Sequence, residues 1–269
     1  MPELPEVETV TKSIKRHLIG ESFSSMTVHW KKTLHNFTPN DFNNKVKSRK
    51  VKDVYRRAKY IVIDLDEVIM PVHLRMTGKL YVSNLVDTTK KHISLYLQFN
   101  DKYLIFEDTR KFGRFYLYEN MNFLNNKLGV EPLSSNFTEN WILRNMKSRN
   151  RQIKQLLFDQ SFICGLGNIY IDEALWMAKI HPLSISSAIP SRKIITLRKA
   201  IIKVLGDSIK LGGTTIRDYT YDFSYVGNYA LNLNVFGKQG GACSRCNSII
   251  LKDKIAQRGT HYCPECQKI

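Results

Sequence analysis

Apolar residues recur at two different spacings along the chain. Near the N-terminus they lie three or four positions apart, at Val7, Val10, Ile14 and Leu18, which predicts an amphipathic helix. From about residue 22 to residue 119 they instead form short runs rich in Val, Ile, Tyr and Phe: YIVIDL, EVIMPVHL, KLYVSN, ISLYLQF and KYLIFED. Turn residues separate these runs, so this part of the chain is predicted to form the strands of a β-sandwich or barrel.

Beyond a polar stretch that contains Pro and Gly, the helical spacing returns. Gly212 and Gly213 are expected to end the last helix. The segments that show this spacing are 141–146, 153–158, 169–178 and 191–211. We therefore predict an α+β chain of two domains. Its parts are an N-terminal β-sandwich with flanking helices over 1–124, a linker over 125–137, a helical domain over 138–234, and a cysteine-bearing β-hairpin over 235–269.

The charge of the chain indicates a polyanionic partner. Forty-one Lys and Arg residues stand against 24 Asp and Glu, a formal net charge of +17 at pH 7, and such an excess is typical of nucleic-acid-binding proteins. A ribosome-associated protein or a merely lysine-rich surface is the alternative on composition alone. No apolar run is long enough to span a membrane, and the first 20 residues lack the apolar segment of a secretory signal. A cytoplasmic protein without membrane contact is expected.

Four of the five cysteines form a metal-ligand pattern. Two residues separate Cys243 from Cys246 and Cys263 from Cys266, and 16 residues lie between the pairs. Four thiolates at this spacing suit one tetrahedral Zn²⁺, with an iron–sulfur or vestigial site as the alternative. A closed four-sulfur site leaves no open position for catalysis, so the zinc is expected to be structural. Cys164 lies among apolar residues and is predicted to be buried.

The opening residues, MPELPEVETV, place three glutamates at the start of a basic protein. Pro5, Glu6 and Glu8 fit the first turn of a helix, where proline is tolerated and acidic side chains complement the helix dipole. Pro2 and Glu3 are expected to lie upstream of that turn, where capping does not account for them. Removal of the initiator methionine would expose the secondary amine of Pro2, a nucleophile for Schiff-base chemistry at a sugar carbon, with a carboxylate assisting. The residues alone leave both interpretations open.

Three segments resemble one protein family. PELPEVETV at the N-terminus, GLGNIYIDEALW in the helical half and QRGTHYCPECQ near the C-terminus are similar, in the same order, to the bacterial formamidopyrimidine-DNA glycosylases. The resemblance runs essentially from end to end of the chain. It implies a base-excision repair enzyme that removes oxidised purines such as 8-oxoguanine and then cleaves the abasic strand. It also implies a helix–two-turn–helix motif and a zinc ribbon in the second half.

The resemblance implies a catalytic role for the N-terminus. Pro2 would be the nucleophile, Glu3 its acid/base partner, and Glu6 the residue that orients the terminus. Lys59, in RRAKYIVI, matches the family's hairpin-loop lysine, which approaches the damaged nucleotide and its phosphate. Without the family context, Lys59 would be interpreted as a solvated turn lysine.

Two short segments match the family's base-flipping loops. A glycosylase must extrude its target nucleotide and fill the gap that remains. In HLRMTGK, His73 is assigned to a phosphate and Met76 to the gap. In EDTRKFGR, Phe112 is the predicted wedge between base pairs and Arg110 the partner of the orphaned cytosine. The adjacent glycines are expected to mark turns that leave these side chains at loop tips rather than in the core.

Further phosphate contacts are expected in the second half. Gly165 and Gly167 would let backbone amides approach an anion at a helix N-terminus. By resemblance, Asn168 and Lys154 contact phosphates, and Arg258 in the zinc hairpin binds the same distorted backbone. Contacts of this kind position DNA without reading its sequence and make affinity depend on salt. They account for the net charge of the chain.

The segment 214–237 corresponds to the family's mobile loop, which caps the flipped purine. Many family members carry a glycine-rich tip there, whereas this chain has a tyrosine-rich one, with Tyr219, Tyr221, Tyr225 and Tyr229. The additional aromatic rings would either stack on the base or stiffen the loop against the domain.

These features predict a monomeric, bifunctional DNA glycosylase and abasic-site lyase, associated with the nucleoid when it acts. Damaged double-stranded DNA is expected between the two halves, with attack of Pro2 on C1′ followed by β- and δ-elimination. Leu4 and the wedge Arg110-x-Phe112-Gly113 favour the purine branch. The related endonuclease VIII branch, which acts on oxidised pyrimidines, is the nearest alternative. A zinc-ribbon nucleic-acid-binding protein without catalysis is the alternative from another class.

Overall fold

The structure, a computed structural model, describes residues 2–87, 89–214 and 228–269. The chain divides into two compact units. Of the described residues, the first unit comprises 2–87, 89–126 and 212–214, and the second comprises 127–211 and 228–269. Within the described ranges, no helix is both long and apolar enough to span a membrane.

Eight strands form the frame of the first unit. They are β1 (Ser25–Val28), β2 (Asp53–Arg57), β3 (Tyr60–Asp64), β4 (Ile69–His73), β5 (Gly78–Ser83), β6 (Ile93–Phe99), β7 (Lys102–Asp108) and β8 (Arg114–Phe115). Two four-stranded antiparallel sheets result, with the orders β1-β6-β7-β5 and β2-β3-β4-β8. The five runs singled out in the sequence are β3 to β7, so those predictions are confirmed. Strands β1, β2 and β8 lie outside these runs: β1 and β2 are mostly half-buried and lack a continuous apolar run, and β8 is only two residues long.

Three helices accompany the sheets: α1 (Leu4–Leu18), α2 (Pro39–Lys45) and α3 (Asn122–Asn125). Helix α1 packs against β2 and β5. Its apolar positions Val7, Val10, Ile14 and Leu18 are buried in one core with residues of both sheets, as the spacing predicts. Burial of these side chains anchors the helix, and therefore fixes the chain just ahead of it.

The second unit is helical and ends in a β-hairpin. Its helices are α4 (Glu139–Lys147), α5 (Ile153–Phe158), α6 (Asn168–Met177) and α7 (Ser191–Lys210), and its hairpin pairs β9 (Leu251–Ile255) with β10 (Arg258–Tyr262). All four predicted helical segments are confirmed. Helix α7 ends before Gly212, whose φ of +76° is the left-handed conformation expected of a helix-terminating glycine.

The stretch predicted as a linker, 125–137, is largely integrated into the second unit. The backbone N–H of Gly129 donates to the carbonyl of Gln160 at 2.8 Å, and Val130 forms a bridge with Ile163. Phe137 is fully buried. Polar and Pro/Gly-rich composition indicates irregular backbone, but it does not distinguish a flexible connection from a segment that packs through non-local contacts.

Candidate functional site

The N-terminal turn of α1 is organised by a pair of buried carboxylates. Glu3 is the N-cap residue, and it forms a capping box with Glu6, whose Oε2 accepts the backbone N–H of Glu3 at 2.8 Å. Both side chains are almost fully buried, and Pro2 is buried directly ahead of them. The expectation that Glu3 lies upstream of the capping turn is wrong, because the helix begins at Leu4 rather than Pro5. Glu3 is thus itself part of the cap.

Glu6 also binds the backbone of Thr214, the last described residue of the first unit. Its Oε1 accepts the N–H of Thr214 at 2.7 Å. Gly213 precedes that contact with φ of +87°, and a Cβ there would lie 2.9 Å from Glu6 Oε1. Glycine is required on both counts, the backbone conformation and the close approach. The sequence predicted a helix-ending role for this glycine, whereas its contact with Glu6, more than 200 positions away, carries no local signal.

Lys59 and His73 lie close to one another on the second sheet. Lys59 sits in the turn between β2 and β3 and is 5% exposed, so it is not a solvated turn lysine. Burial, reinforced by the positive charges of Arg75 and Lys59, lowers the pKa of His73 to about 3. The imidazole is therefore neutral at physiological pH. Its Nδ1 accepts the N–H of Arg75 at 3.0 Å, which leaves Nε2 as the protonated nitrogen that can donate to an anion.

The two loops predicted to reach into DNA both present exposed apolar side chains. Met76 follows β4 and is 43% exposed, and Phe112 follows β7 and is 47% exposed. Both therefore lie outside the core. The guanidinium of Arg110 lies 5.0 Å from the centroid of the Phe112 ring, so that the two side chains of this loop form one unit.

A buried aspartate joins these two loops. Asp108, 1% exposed at the end of β7, accepts the hydroxyl of Thr77 at 2.5 Å and the N–H of Arg110 at 3.1 Å on Oδ1. Its Oδ2 accepts the N–H of Gly113 at 2.7 Å. One carboxylate thereby fixes the loop that carries Met76 and the loop that carries Phe112. The sequence does not indicate this role of Thr77 and Asp108, because the link depends on strand pairing between β5 and β7.

The glycines of the two loops lie beside turns and are also required by packing. A Cβ on Gly78 would lie 2.8 Å from the Phe106 ring and 2.4 Å from the carbonyl of Leu74. A Cβ on Gly113 would lie 2.2 Å from the same ring. Neither glycine has a positive φ, but each lies beside a turn, residues 75–77 and 109–110, as predicted. Both positions need glycine because the backbone passes directly over Phe106.

In the second unit, Asn168 and Arg258 lie near one another. Asn168 is the first residue of α6, and its Nδ2 donates to the carbonyl of Gly259 at 2.8 Å, the neighbour of Arg258. The exposed guanidinium of Arg258 lies 5.2 Å from the centroid of Phe158. Lys154, by contrast, is 0% exposed, and its Nζ donates to Asp172 at 2.6 Å.

The four clustered cysteines fit one tetrahedral metal ion. Their sulfur atoms all lie within 4.8 Å of one another, with 3.5 Å between Cys246 and Cys263, 3.5 Å between Cys246 and Cys266, and 3.9 Å between Cys243 and Cys266. A tetrahedral Zn²⁺ with sulfur ligands at about 2.3 Å places the sulfurs about 3.8 Å apart. The donor set is closed and all-thiolate, so one structural zinc fits. Cys164 is buried, as predicted.

The tyrosine-rich segment lies mostly outside the described residues. This holds for Tyr219, Tyr221 and Tyr225. Tyr229 is described: it is 5% exposed and its ring centroid lies 6.1 Å from that of Tyr170 in α6. That tyrosine packs on the helical unit.

Family models match the chain in three consecutive parts. Residues 1–115 match the formamidopyrimidine-DNA glycosylase N-terminal domain, residues 128–220 match the formamidopyrimidine-DNA glycosylase H2TH domain, and residues 240–269 match the zinc finger found in FPG and IleRS. Together these matches cover most of the chain, including the cysteine quartet and the N-terminal turn.

Similar proteins and structures match over full length. The formamidopyrimidine-DNA glycosylase of Protochlamydia amoebophila is 42% identical over 276 residues, covering 100% of both chains. That of Enterococcus faecalis is 38% identical, covering 100% of this chain and 98% of the relative. A Lactococcus lactis FPG mutant in complex with a Fapy-dG containing DNA superposes with a TM-score of 0.94, at 36% identity and full coverage of both chains. MutM in complex with carbocyclic 8-oxo-G containing DNA gives 0.92 at 36% identity and the same coverage.

Proposed function

Because the chain belongs to the formamidopyrimidine-DNA glycosylase family, we propose that it excises oxidised purines from duplex DNA and cleaves the resulting abasic strand. The observation that carries this proposal is the uninterrupted match of the whole chain to relatives of that name and to structures bound to lesion-containing DNA. The net charge of +17 supports a polyanionic partner. On this account, the enzyme acts on the chromosome and associates with the nucleoid.

The proposed nucleophile is the secondary amine of Pro2 after removal of Met1. The amine nitrogen forms a bond to C1′ of the damaged nucleoside, and the bond from C1′ to the base breaks, with the electron pair leaving on the base. Opening of the sugar ring gives an iminium between Pro2 and C1′. Loss of a C2′ proton and expulsion of the 3′ phosphate follow, then loss of the C4′ proton and expulsion of the 5′ phosphate. Hydrolysis returns the amine and leaves a one-nucleotide gap with phosphates on both ends.

The two carboxylates of the N-terminal turn suit complementary tasks in this chemistry. Glu6 has both oxygens engaged by backbone N–H groups, those of Glu3 and Thr214, so we assign it to holding the terminus. Glu3 is adjacent to Pro2 and buried, and we assign it to proton transfer at the sugar and the leaving base. Its place as N-cap fixes its backbone, which supports a defined position for its carboxylate.

Recognition of the lesion is assigned to the first unit's loops and basic side chains. Met76 would fill the gap left by the extruded nucleotide, and Phe112 would wedge between base pairs. Arg110, stacked on Phe112, would pair with the orphaned cytosine. Lys59 and neutral His73, through its Nε2–H, would contact phosphate near the lesion.

We assign binding of the DNA backbone to the second unit. Asn168 at the N-terminus of α6 and Arg258 in the hairpin are the proposed phosphate contacts. Cys243, Cys246, Cys263 and Cys266 would hold the zinc that gives the hairpin its fold.

Cleavage of defined duplexes tests the proposed substrate class. A labelled duplex with 8-oxoguanine opposite cytosine should be cut to a one-nucleotide gap with phosphate at both ends. A matched duplex with thymine glycol should be cut much more slowly. Preferential cutting of the thymine glycol duplex would instead place the chain with the endonuclease VIII branch. Binding without cutting of either duplex, by protein lacking Met1, would contradict the enzymatic proposal.

A further inference from the structure

Helix α6 carries three large side chains that the proposed function leaves without a role: Asp172, Glu173 and Trp176. The helix is buried on nearly all sides, and the two acidic residues are 0% and 1% exposed. Ionised carboxylates in such a place are costly unless each oxygen is compensated. Their partners therefore indicate what the helix is built to hold.

Three residues on one face of α6 contact the zinc-binding segment, residues 240–269, at successive points. Asn168, Asp172 and Trp176 are spaced four apart, which places them in a row along the helix. Nδ2 of Asn168 donates to the Gly259 carbonyl at 2.8 Å. Oδ2 of Asp172 accepts the backbone N–H of His261 at 2.9 Å. Nε1 of Trp176 donates to Sγ of Cys243 at 3.5 Å.

Glu173 secures the chain that leads into the same segment. Its Oε1 accepts the N–H groups of Val235 and Phe236 at 2.9 Å each, and its Oε2 accepts that of Asn234 at 2.9 Å. Helix α6 therefore binds residues 234–236, which precede the zinc-binding segment. It also binds the proposed zinc ligand Cys243 and the strand β10.

The contact of Asn168 with the hairpin lies next to Arg258, the hairpin residue that is proposed to contact DNA. Arg258 is the first residue of β10 and directly precedes Gly259, whose carbonyl is held by Asn168. The hairpin turn before it places Ala256 and Gln257 at φ of +50° and +58°, a left-handed conformation that non-glycine residues adopt at a cost. Pairing of β10 with β9 and the contacts of β10 with α6 therefore hold the strand that carries Arg258.

Asp172 is the centre of this anchorage, and Lys154 is its counter-ion. Oδ1 of Asp172 accepts Nζ of Lys154 at 2.6 Å, while Oδ2 binds β10. Both side chains are at most 1% exposed. Lys154, which the resemblance assigned to a phosphate, therefore orients the carboxylate of Asp172 toward the zinc hairpin.

We propose that Asp172 is a positioning residue that, with Lys154 as its buried counter-ion, holds the zinc hairpin so that Arg258 meets the DNA backbone. This inference rests on the proposed function, because it concerns how the same protein binds lesion-containing DNA. It adds a residue that acts through Arg258 rather than on DNA directly.

Equilibrium binding of zinc-loaded, full-length Asp172→Asn to a duplex with a tetrahydrofuran abasic analogue tests the proposal. Loss of a negative charge tightens binding to a polyanion if only net charge matters. The positioning role predicts the opposite: about tenfold weaker binding, and a slope of log affinity against log salt reduced by about one, as expected when one phosphate contact is lost. Asp207→Asn, on the exposed side of α7, is the matched control and should bind no more weakly than the parent protein.

Two further variants separate positioning from general damage. In an Arg258→Gln background, Asp172→Asn should weaken binding little further, because the contact it positions is already absent. Adding Lys154→Met to Asp172→Asn removes the uncompensated buried cation and leaves an amide oxygen for the N–H of His261, so binding should recover. If the single variant does not fold, this double variant is measured in its place, and it should bind as the parent protein does.

Three results would overturn the proposal. The first is parent-like or tighter binding by Asp172→Asn with an unchanged salt slope. The second is that the losses of affinity caused by Asp172→Asn and Arg258→Gln multiply in the double variant, as independent effects do. The third is a further loss of affinity when Lys154→Met is added to Asp172→Asn. The last would show that Lys154 contacts phosphate itself. Failure of the parent protein to cut 8-oxoguanine duplexes would instead count against the proposed function, and the binding comparison would still decide the inference.

Discussion

The backbone N–H of Thr214 donates to Oε1 of Glu6 at 2.7 Å, although 208 positions separate the two residues. The other carboxylate oxygen of Glu6 accepts the N–H of Glu3. A single buried side chain therefore fixes the turn next to Pro2 and the residue from which the segment 215–227 continues. The acidic start of this basic protein is a structural junction as well as the proposed location of the chemistry.

Replacement of Glu6 by glutamine should damage this junction. A glutamine offers one oxygen and one NH₂ group, so it cannot accept from both Glu3 and Thr214, and one buried N–H loses its acceptor. We expect about 2 kcal/mol loss in the free energy of unfolding and slower covalent trapping on lesion DNA. Denaturant unfolding and single-turnover kinetics measure the two effects. Glu8→Gln, which removes the ion pairs of Glu8 with Arg56 and Lys12 and leaves the junction intact, is the control; equal effects of both variants would contradict this explanation.

Asp108→Asn should loosen both loops that are proposed to contact DNA. An amide cannot accept on both sides as the carboxylate does from Thr77, Arg110 and Gly113. We expect about 2 kcal/mol of destabilisation and faster hydrogen exchange in both 74–77 and 109–113. Exchange measured by mass spectrometry checks this, with the exposed Asp101→Asn as control. Faster exchange in one loop only would show that Asp108 does not couple them.

The buried, neutral His73 should make stability depend on pH. An unfolded histidine has a pKa of about 6.5, whereas burial lowers that of folded His73 to about 3. The unfolded state therefore binds the proton first, so stability is fully present above pH 6.5 and falls as the pH drops toward 3. Between pH 7.5 and 5.5 the loss is about 1.4 kcal/mol, and His73→Gln should remove it. Unfolding at both pH values, with the exposed His35→Gln for comparison, measures the difference; an unchanged pH dependence in His73→Gln would argue for a solvated imidazole.

Removal of the metal should unfold the C-terminal segment and be visible at Trp176. The indole N–H of Trp176 donates to Cys243, and the guanidinium of Arg245 lies 3.6 Å from the ring centroid. A chelator should release one zinc per chain and shift the Trp176 emission to longer wavelength, because the small core around Trp176 includes Cys243 and Cys263, two of the zinc ligands. Metal analysis and fluorescence against a Trp176→Phe variant test this. Emission that is unaffected after complete metal loss would mean that the cluster around Trp176 folds without zinc.

Much of the fold could be predicted from local pattern. Alternating and continuous apolar runs identified β3 to β7, and the spacing of apolar residues identified α1 and the four later helices. The cysteine spacing predicted the closed thiolate cluster, because ligand spacing is itself a short-range property. The family's motifs led to Pro2, Glu3 and the loop residues, whose roles remain proposals.

What the sequence did not indicate depends on contacts between distant residues. Asp108 resembles any acidic strand end until β5 pairs with β7, and Gly78 indicates a turn in the sequence but not the packing of its backbone against Phe106. Lys154 suggested a phosphate contact because its buried partner, Asp172, lies 18 positions away on another helix. In each case, charge or residue type indicated a function, and only burial showed which partner the side chain has.

Mass spectrometry of the borohydride-trapped adduct identifies the amine that forms the Schiff base. Protein lacking Met1 is incubated with 8-oxoguanine duplex and sodium borohydride, and the trapped adduct is digested with trypsin and sequenced by mass spectrometry. The account predicts a sugar remnant on the proline nitrogen of the peptide PELPEVETVTK, and no adduct for protein that retains Met1. A remnant on Lys59, the other buried amine of the first unit's proposed site, or the absence of any adduct would contradict it.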